Sequence, residues 1–140
     1  VVSVILTPTV YVYPLLESVV RLSAVVRLRS PPPTLVETRE TMHIQVVNFN
    51  LEGIGHDDYT QVCDSVAAAF AEVPGLMSKA WLSDQESNTY GGVYTWESRQ
   101  AMETFGQTEM FQGVAGNPNF ANFSSRSFDV LEGPSKVTRI

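Results

Sequence analysis

The stretch Asn88–Met102, NTYGGVYTWESRQAM, packs three aromatic residues around two adjacent glycines and then changes its period. Tyr90, Gly92, Tyr94 and Trp96 alternate with Gly91, Val93 and Thr95, the two-residue rhythm of a strand whose sides face different surroundings. Ser98 is a capping residue, and beyond it Ala101, Met102 and Phe105 recur at helical spacing. Adjacent glycines weaken a strand, because they add backbone entropy and offer nothing to pack. Two readings account for them. Either each clears space on one side, one admitting a helix and the other opening room beside Tyr94 and Trp96 for a ligand or a partner subunit, or the pair marks a bulge or bend that sets strand curvature.

Reading outward, HIQVVNFNL, His43 to Leu51, is a second β-rich run that ends at Gly53 and Gly55. Asp57 or Asp58 can cap a helix there, and Asp58 with Gln61 has the spacing of a capping box. Tyr59, Val62, Cys63, Val66, Phe70 and Val73 form one apolar stripe, which Pro74-Gly75 terminates. LMSKAWLS, Leu76 to Ser83, reads as the next strand, followed by a polar turn and then by the Asn88 stretch. Gly106 interrupts the helix begun at Ser98. Thr108 caps a short piece bearing Met110, Phe111 and Val114, GNPN at 116–119 is a loop, and FSSRSFDVL, Phe123 to Leu131, is a fourth strand. The order β-α-β-β-α-β predicts an α+β, ferredoxin-like fold with a four-stranded antiparallel sheet and helices on one side.

Strand phase then bears on assembly. In the first strand Val47, Phe49 and Leu51 point one way, and Ile44, Val46, Asn48 and Asn50 the other. In the second, Met77, Lys79, Trp81 and Ser83 oppose Leu76, Ser78, Ala80 and Leu82. Both faces of the sheet carry large apolar groups, so the side without helices calls for a cover. A second copy of the chain is the simplest one, which predicts a two-fold homodimer.

The 140 residues carry a formal net charge of −6, which argues against nucleic acid, where a basic surface is needed to displace counterions from phosphates. Cys63 is the only cysteine; with no disulfide to form, it fits a reducing cytoplasmic setting. No apolar run reaches the roughly 20 residues a bilayer-spanning helix needs. Residues 1–41 differ in composition from the rest: they hold five of the eight prolines and contain no Gly, Asn, Gln, Asp, Phe or Trp. They read as an N-terminal extension, poorly ordered or partly helical, joined by the Pro31-Pro32-Pro33 linker to a domain at 42–140. A sharper expectation makes Met42 the natural start.

At this point VPGLMSKAW, GGVYTWES followed by a helix, and the closing SFDVLEGPS bring a resemblance. Residues 42–140 resemble the small YdhR-like mono-oxygenases, within the dimeric α/β-barrel superfamily that includes the antibiotic-biosynthesis mono-oxygenases. The resemblance implies oxygenation of a small aromatic or phenolic compound by dioxygen without metal, flavin or other cofactor, in a pocket beside the sheet. It also implies alternatives: a non-catalytic ligand-binding or stress-related dimer with the same pocket, or haem degradation. A haem-degrading relative would carry an Asn that Asn48 matches, but Phe105 stands in place of its Trp and Ala115 in place of its His. That leaves only His43 or His56 as haem ligands.

Cofactor-free oxygenation needs a dry aromatic pocket and donors aimed at a substrate oxyanion. Asn48 and the Trp81 indole N–H are candidate donors, and Tyr94 is a candidate donor or proton relay. Lys79, two residues from Trp81 on the same face, can hold an anion. Gly92, Trp96, Phe105 and Arg126 complete the candidate substrate-binding set. Each has a plainer reading: Trp81, Trp96 and Phe105 as core or interface aromatics, Asn48 as a strand-ending residue, Lys79 and Arg126 as surface or paired charges. His56 suits a surface or capping role. No cluster has metal-ligand spacing, and no phosphate-binding loop or Ser-His-Asp arrangement is present.

Overall fold

In a computed structural model describing residues 40–140, the alternation of His43–Leu51 becomes a strand, β1, in which every second residue is buried. The long reading of residues 1–41 and of Met42 as a start falls almost wholly outside the described residues. After β1 come α1 (His56–Ala71), β2 (Leu76–Asp84), β3 (Thr89–Trp96), α2 (Arg99–Gly106), α3 (Glu109–Ala115), β4 (Phe120–Asp129) and α4 (Glu132–Val137). The sheet order is β2-β3-β1-β4 and all three pairings are antiparallel, so the fold is the expected ferredoxin-like one.

Pairing register assigns the faces. His43 lies opposite Trp96, Gln45 opposite Tyr94, Val47 opposite Gly92, and Lys79 and Trp81 continue the row opposite Tyr94 and Gly92. This is the helix-covered side, and it holds the core: Val47, Phe49, Leu51, Tyr90, Tyr94 and Trp96 from the sheet, with Tyr59, Phe70 and Phe105 from α1 and α2. Two polar side chains of β1 are buried beside it and make different contacts. Gln45 accepts from the Trp96 indole N–H at 3.1 Å and donates to Ser125 Oγ at 3.0 Å. His43, 1% exposed, meets the Asp129 carboxylate through Nδ1 at 3.1 Å.

Local chemistry explains the element ends. The Ser98 hydroxyl accepts the Ala101 N–H at 3.1 Å and caps α2. Thr108 Oγ1 accepts from the Phe111 N–H, capping α3, and donates to the Phe105 carbonyl. At α1 the cap is Gly55, whose N–H donates to the Asp58 carboxylate at 3.2 Å. Asp58 therefore acts as the third helical residue of the cap, not as the cap of a box with Gln61. Asn88, at φ +53°, takes the left-handed conformation that asparagine tolerates. Its side-chain amide pairs with both backbone groups of Leu51, tying the β2–β3 hairpin to the end of β1.

β4 begins at Phe120, three residues before the position expected from sequence, because Asn117 and Asn119 turn the chain early: Asn117 Oδ1 accepts the Asn119 N–H and the Asn117 carbonyl accepts the Phe120 N–H. α4, absent from the sequence reading, forms from a segment containing Gly133 and Pro134. Among the described residues, no helix is long and apolar enough to cross a membrane.

Candidate functional site

The wall between α1 and the β2–β3 hairpin is built from the face that the strand phase puts inward. β2 contributes Lys79, Trp81 and Ser83, β3 contributes Tyr94 and Gly91, and α1 contributes Tyr59, Val62, Cys63, Val66 and Phe70. Two spaces share Tyr59, Cys63 and Trp81. One is an inner chamber of about 50 Å³ beneath Lys79, reaching Phe49 and Phe120. The other is an outer cleft of about 230 Å³ between His56–Ala67 of α1 and Trp81–Ser83 of β2. The chamber holds little more than a water or two, so a ring-sized ligand enters only if a wall residue gives way. Trp81, on the edge strand β2 and 36% exposed, is the most exposed ring of that wall.

Lys79, on the edge strand β2, lines the inner chamber and, on its other side, a surface cleft with Met77, Ser78 and Trp81. Its Nζ lies 3.4 Å from the Phe70 ring centroid, 3.3 Å from that of Trp81 and 4.7 Å from that of Tyr94. Phe70 and Trp81 meet edge to face, with centroids 5.3 Å apart, so the amine is boxed by rings. No carboxylate among the described residues comes within salt-bridge distance of it. Burial of the stem and head strips water from the ammonium and pulls its pKa from 10.5 to about 7, with the nearby Cys63 acting weakly in the other direction. The ring faces also favour the ammonium and so oppose the shift.

The groups around the amine respond in the opposite sense. Burial pushes the Tyr59 and Tyr94 phenols above their usual value and raises the Cys63 thiol, so all three hold their protons at neutral pH. Tyr59 and Cys63, one helical turn apart on α1, line both spaces. At the cleft mouth, His56 Nδ1 lies 3.3 Å from the Tyr90 hydroxyl.

Of the residues singled out from sequence, the structure brings Lys79, Trp81, Gly92 and Tyr94 together. A Cβ on Gly92 would stand 3.0 Å from Lys79 Cε and 3.4 Å from a Tyr94 ring carbon, so this glycine leaves room for the lysine stem. Gly91 answers to the backbone: at φ +144° its Cβ would lie 1.9 Å from the Val47 carbonyl oxygen, which no side chain could tolerate. Trp96 and Phe105 lie deeper, 0% and 2% exposed, and line neither space. Asn48 and Arg126 sit on the other face of the sheet, Asn48 opposite Gly91 and Ser124, Arg126 opposite Val46. There Asn48 Nδ2 reaches the Tyr90 carbonyl at 3.5 Å, and Arg126 lies over the Phe128 ring. Neither shares the Lys79 pocket. His43 is enclosed beside Trp96, with no opening to a haem-sized ligand.

Sequence reasoning treated Tyr59, Cys63 and Phe70 only as a core stripe. The signal that sets them apart is that Tyr59 and Cys63 are the polar-tipped members of that stripe, one helical turn apart and on the side of α1 that faces Lys79.

Solved structures with this fold include SnoaB, described as a cofactor-independent oxygenase from Streptomyces nogalater, at 18% identity and a TM-score of 0.54, covering 64% of this chain and 93% of that one. A Caulobacter crescentus protein described as a "putative antibiotic biosynthesis monooxygenase" matches at 22% identity and a TM-score of 0.54, covering 67% and 93% of the two chains. The heme-degrader MhuD from Mycobacterium tuberculosis matches at 19% identity and a TM-score of 0.53, covering 64% and 95%. At these identities the likeness is one of fold. No curated protein matches the sequence. The family model described as "Putative mono-oxygenase ydhR" matches residues 44–140, the whole span from β1 to the end of the chain. With the ferredoxin-like sheet and a match over more than half its length, the chain belongs to the ydhR mono-oxygenase family.

Proposed function

We propose that this protein is a cofactor-independent mono-oxygenase for a small aromatic compound bearing a phenol or enol, bound between α1 and the β2–β3 hairpin. The observation that carries the reading is the ring-walled space around Lys79, in a chain of the ydhR family. Phe70, Trp81 and Tyr94 supply ring faces and edges for an aromatic ligand. In this reading Lys79 as a cation and Tyr94, whose ring centroid lies 4.7 Å from the Lys79 Nζ, hold the oxyanion in a site with little water. The electrons come from the substrate. For a methylene flanked by aryl rings, the deprotonated carbon gives an electron to dioxygen and the resulting peroxide collapses; one oxygen atom becomes a carbonyl and the other leaves as water, so no external reductant is consumed.

The reading includes a homodimer closed over the free face of the sheet, and a cytoplasmic setting consistent with one free cysteine. Oxygen uptake with a panel of anthrones and quinols in metal-free buffer tests the activity. We expect uptake with at least one member, with formation of the ketone or quinone, and its loss in Trp81→Ala. If ligands raise the melting temperature but no oxygen is consumed, the protein is a binder and the oxygenase reading fails.

A further inference from the structure

Lys79 is a buried-stem amine with three aromatic neighbours and no acidic partner among the described residues, and nothing in the fold requires it there. A hydrophobic residue would fill the same gap between Phe70 and Trp81 without the cost of desolvating an ammonium. Gly92 keeps a space open for its stem, and Val47 and Tyr94 flank that space on the sheet. The titratable groups that face it are few. From α1 they are Tyr59 and Cys63, with Asp64 further out on the cleft wall; from β3 there is Tyr94. The phenols and the thiol are held protonated by their own burial, so none of them is a proton acceptor at neutral pH. His56 is occupied at the cleft mouth by the Tyr90 hydroxyl.

We infer that Lys79 is the general base of the pocket: as a neutral amine it takes the O–H proton of a bound phenol or enol, and the ammonium so formed stays as counter-ion to the substrate oxyanion. The transfer balances within the pair, since a neutral amine and a neutral acid become an ammonium and an oxyanion with no proton exchanged with solvent. The ring faces of Phe70 and Trp81 then stabilise the ammonium that the step creates, so the box favours the product side of the transfer. The substrate class follows: compounds with an acidic hydroxyl conjugated to an aromatic ring. This inference rests on the pocket assigned above, and it adds a proton acceptor where the broader reading needs only an anion holder.

The test uses 4-cyanophenol, whose anion has its own ultraviolet band, and does not depend on turnover. At a pH of about 7.5 the free probe is mostly protonated, and Lys79 of the ligand-free protein, which gives up its proton near 7, is mostly neutral. Titration of the full chain should produce the anion band in proportion to bound probe. The binding enthalpy should be the same in buffers of different ionisation heat, because no net proton is released. Lys79→Met should lose the band, with folding checked by thermal melting. Lys79→Arg, a fixed cation, should restore the band but release most of one proton per probe bound. An anion band with proton release in the wild type would reduce Lys79 to a static counter-ion and overturn the inference. So would probe bound only in its neutral form, no binding at all, or an undiminished band in Lys79→Met. The outcomes separate from those of the oxygenase test: an anion band without oxygen uptake keeps the base and removes the oxygenase, and uptake without the band does the reverse.

Discussion

At the scale of single residues, Lys79 makes a prediction that needs no substrate. The unfolded chain holds the amine proton up to about pH 10.5, and the folded chain gives it up near 7. Between those values the unfolded state binds more protons, so stability rises with pH, and the full cost of the buried charge is felt below about 7. Above pH ~10 the sign reverses, because Tyr59 and Tyr94 keep their protons in the folded state after the unfolded chain has lost them. Urea midpoints measured from pH 6 to 9 should therefore climb in the wild type. Lys79→Met should flatten that slope and be the more stable protein at pH 6. An equal slope in both would place the amine in water and remove the basis of its shift. That Lys79 shares a face of β2 with Trp81 was legible from their two-residue spacing; that this face turns inward was not. Its ring neighbours were not, since Phe70 comes from α1 and Tyr94 from β3.

At the scale of elements, the paired glycines of β3 separate into two different requirements. Gly91 needs its backbone conformation and its closeness to the Val47 carbonyl; Gly92 needs only the space taken by the Lys79 stem and the Ala80 carbonyl. Gly91→Ala should cost about 3 kcal/mol, the range of a strained backbone combined with a clash that the strand cannot relieve. Gly92→Ala should cost about 1 kcal/mol, since a flexible side chain can yield. Chemical denaturation of the two variants checks the order, and a larger loss at Gly92 would contradict it. Strands β1, β2 and β3 and helices α1 to α3 were readable because period and stop signals agreed, with the Ser98 and Thr108 caps as expected and that of α1 at Gly55 instead of Asp57 or Asp58. The start of β4 and the whole of α4 were not. The first is set by asparagine turns that the loop signal at 116–119 conceals, and the second is a short helix with a glycine and a proline inside it.

At the scale of the molecule, helices of the described residues lie over one face of the sheet and not over the other. The uncovered face carries Ile44 and Val46 from β1, Val93 from β3, and Phe128 of β4, which is 44% exposed. We propose the second copy as its cover, in line with the homodimer proposed above. Val46→Glu, placed between Val93 and Arg126 on that face, should turn a dimer into a monomer in light scattering at micromolar concentration while leaving the helix-side core intact. A dimer that survives this change would mean that the subunits meet elsewhere. Asn48 and Arg126, chosen from sequence as pocket residues, belong to this face and not to the Lys79 wall.

Sequence alone determined the order of elements from β1 to β4, the antiparallel ferredoxin-like sheet, the existence of two apolar sheet faces and the family resemblance. The elements and the two faces follow from periodicity, capping and turn chemistry, which act over a few residues and leave their marks in the chain; the resemblance rests on VPGLMSKAW, GGVYTWES and SFDVLEGPS. Tertiary structure decided which face each strand turns to the helices, and hence that Lys79, Trp81 and Tyr94 meet while Asn48 and Arg126 lie behind them. It also divided the work of Gly91 and Gly92. The physical reason is that a strand's alternation is symmetric: it says which residues share a side, and only pairing register with neighbouring strands says which side is the pocket.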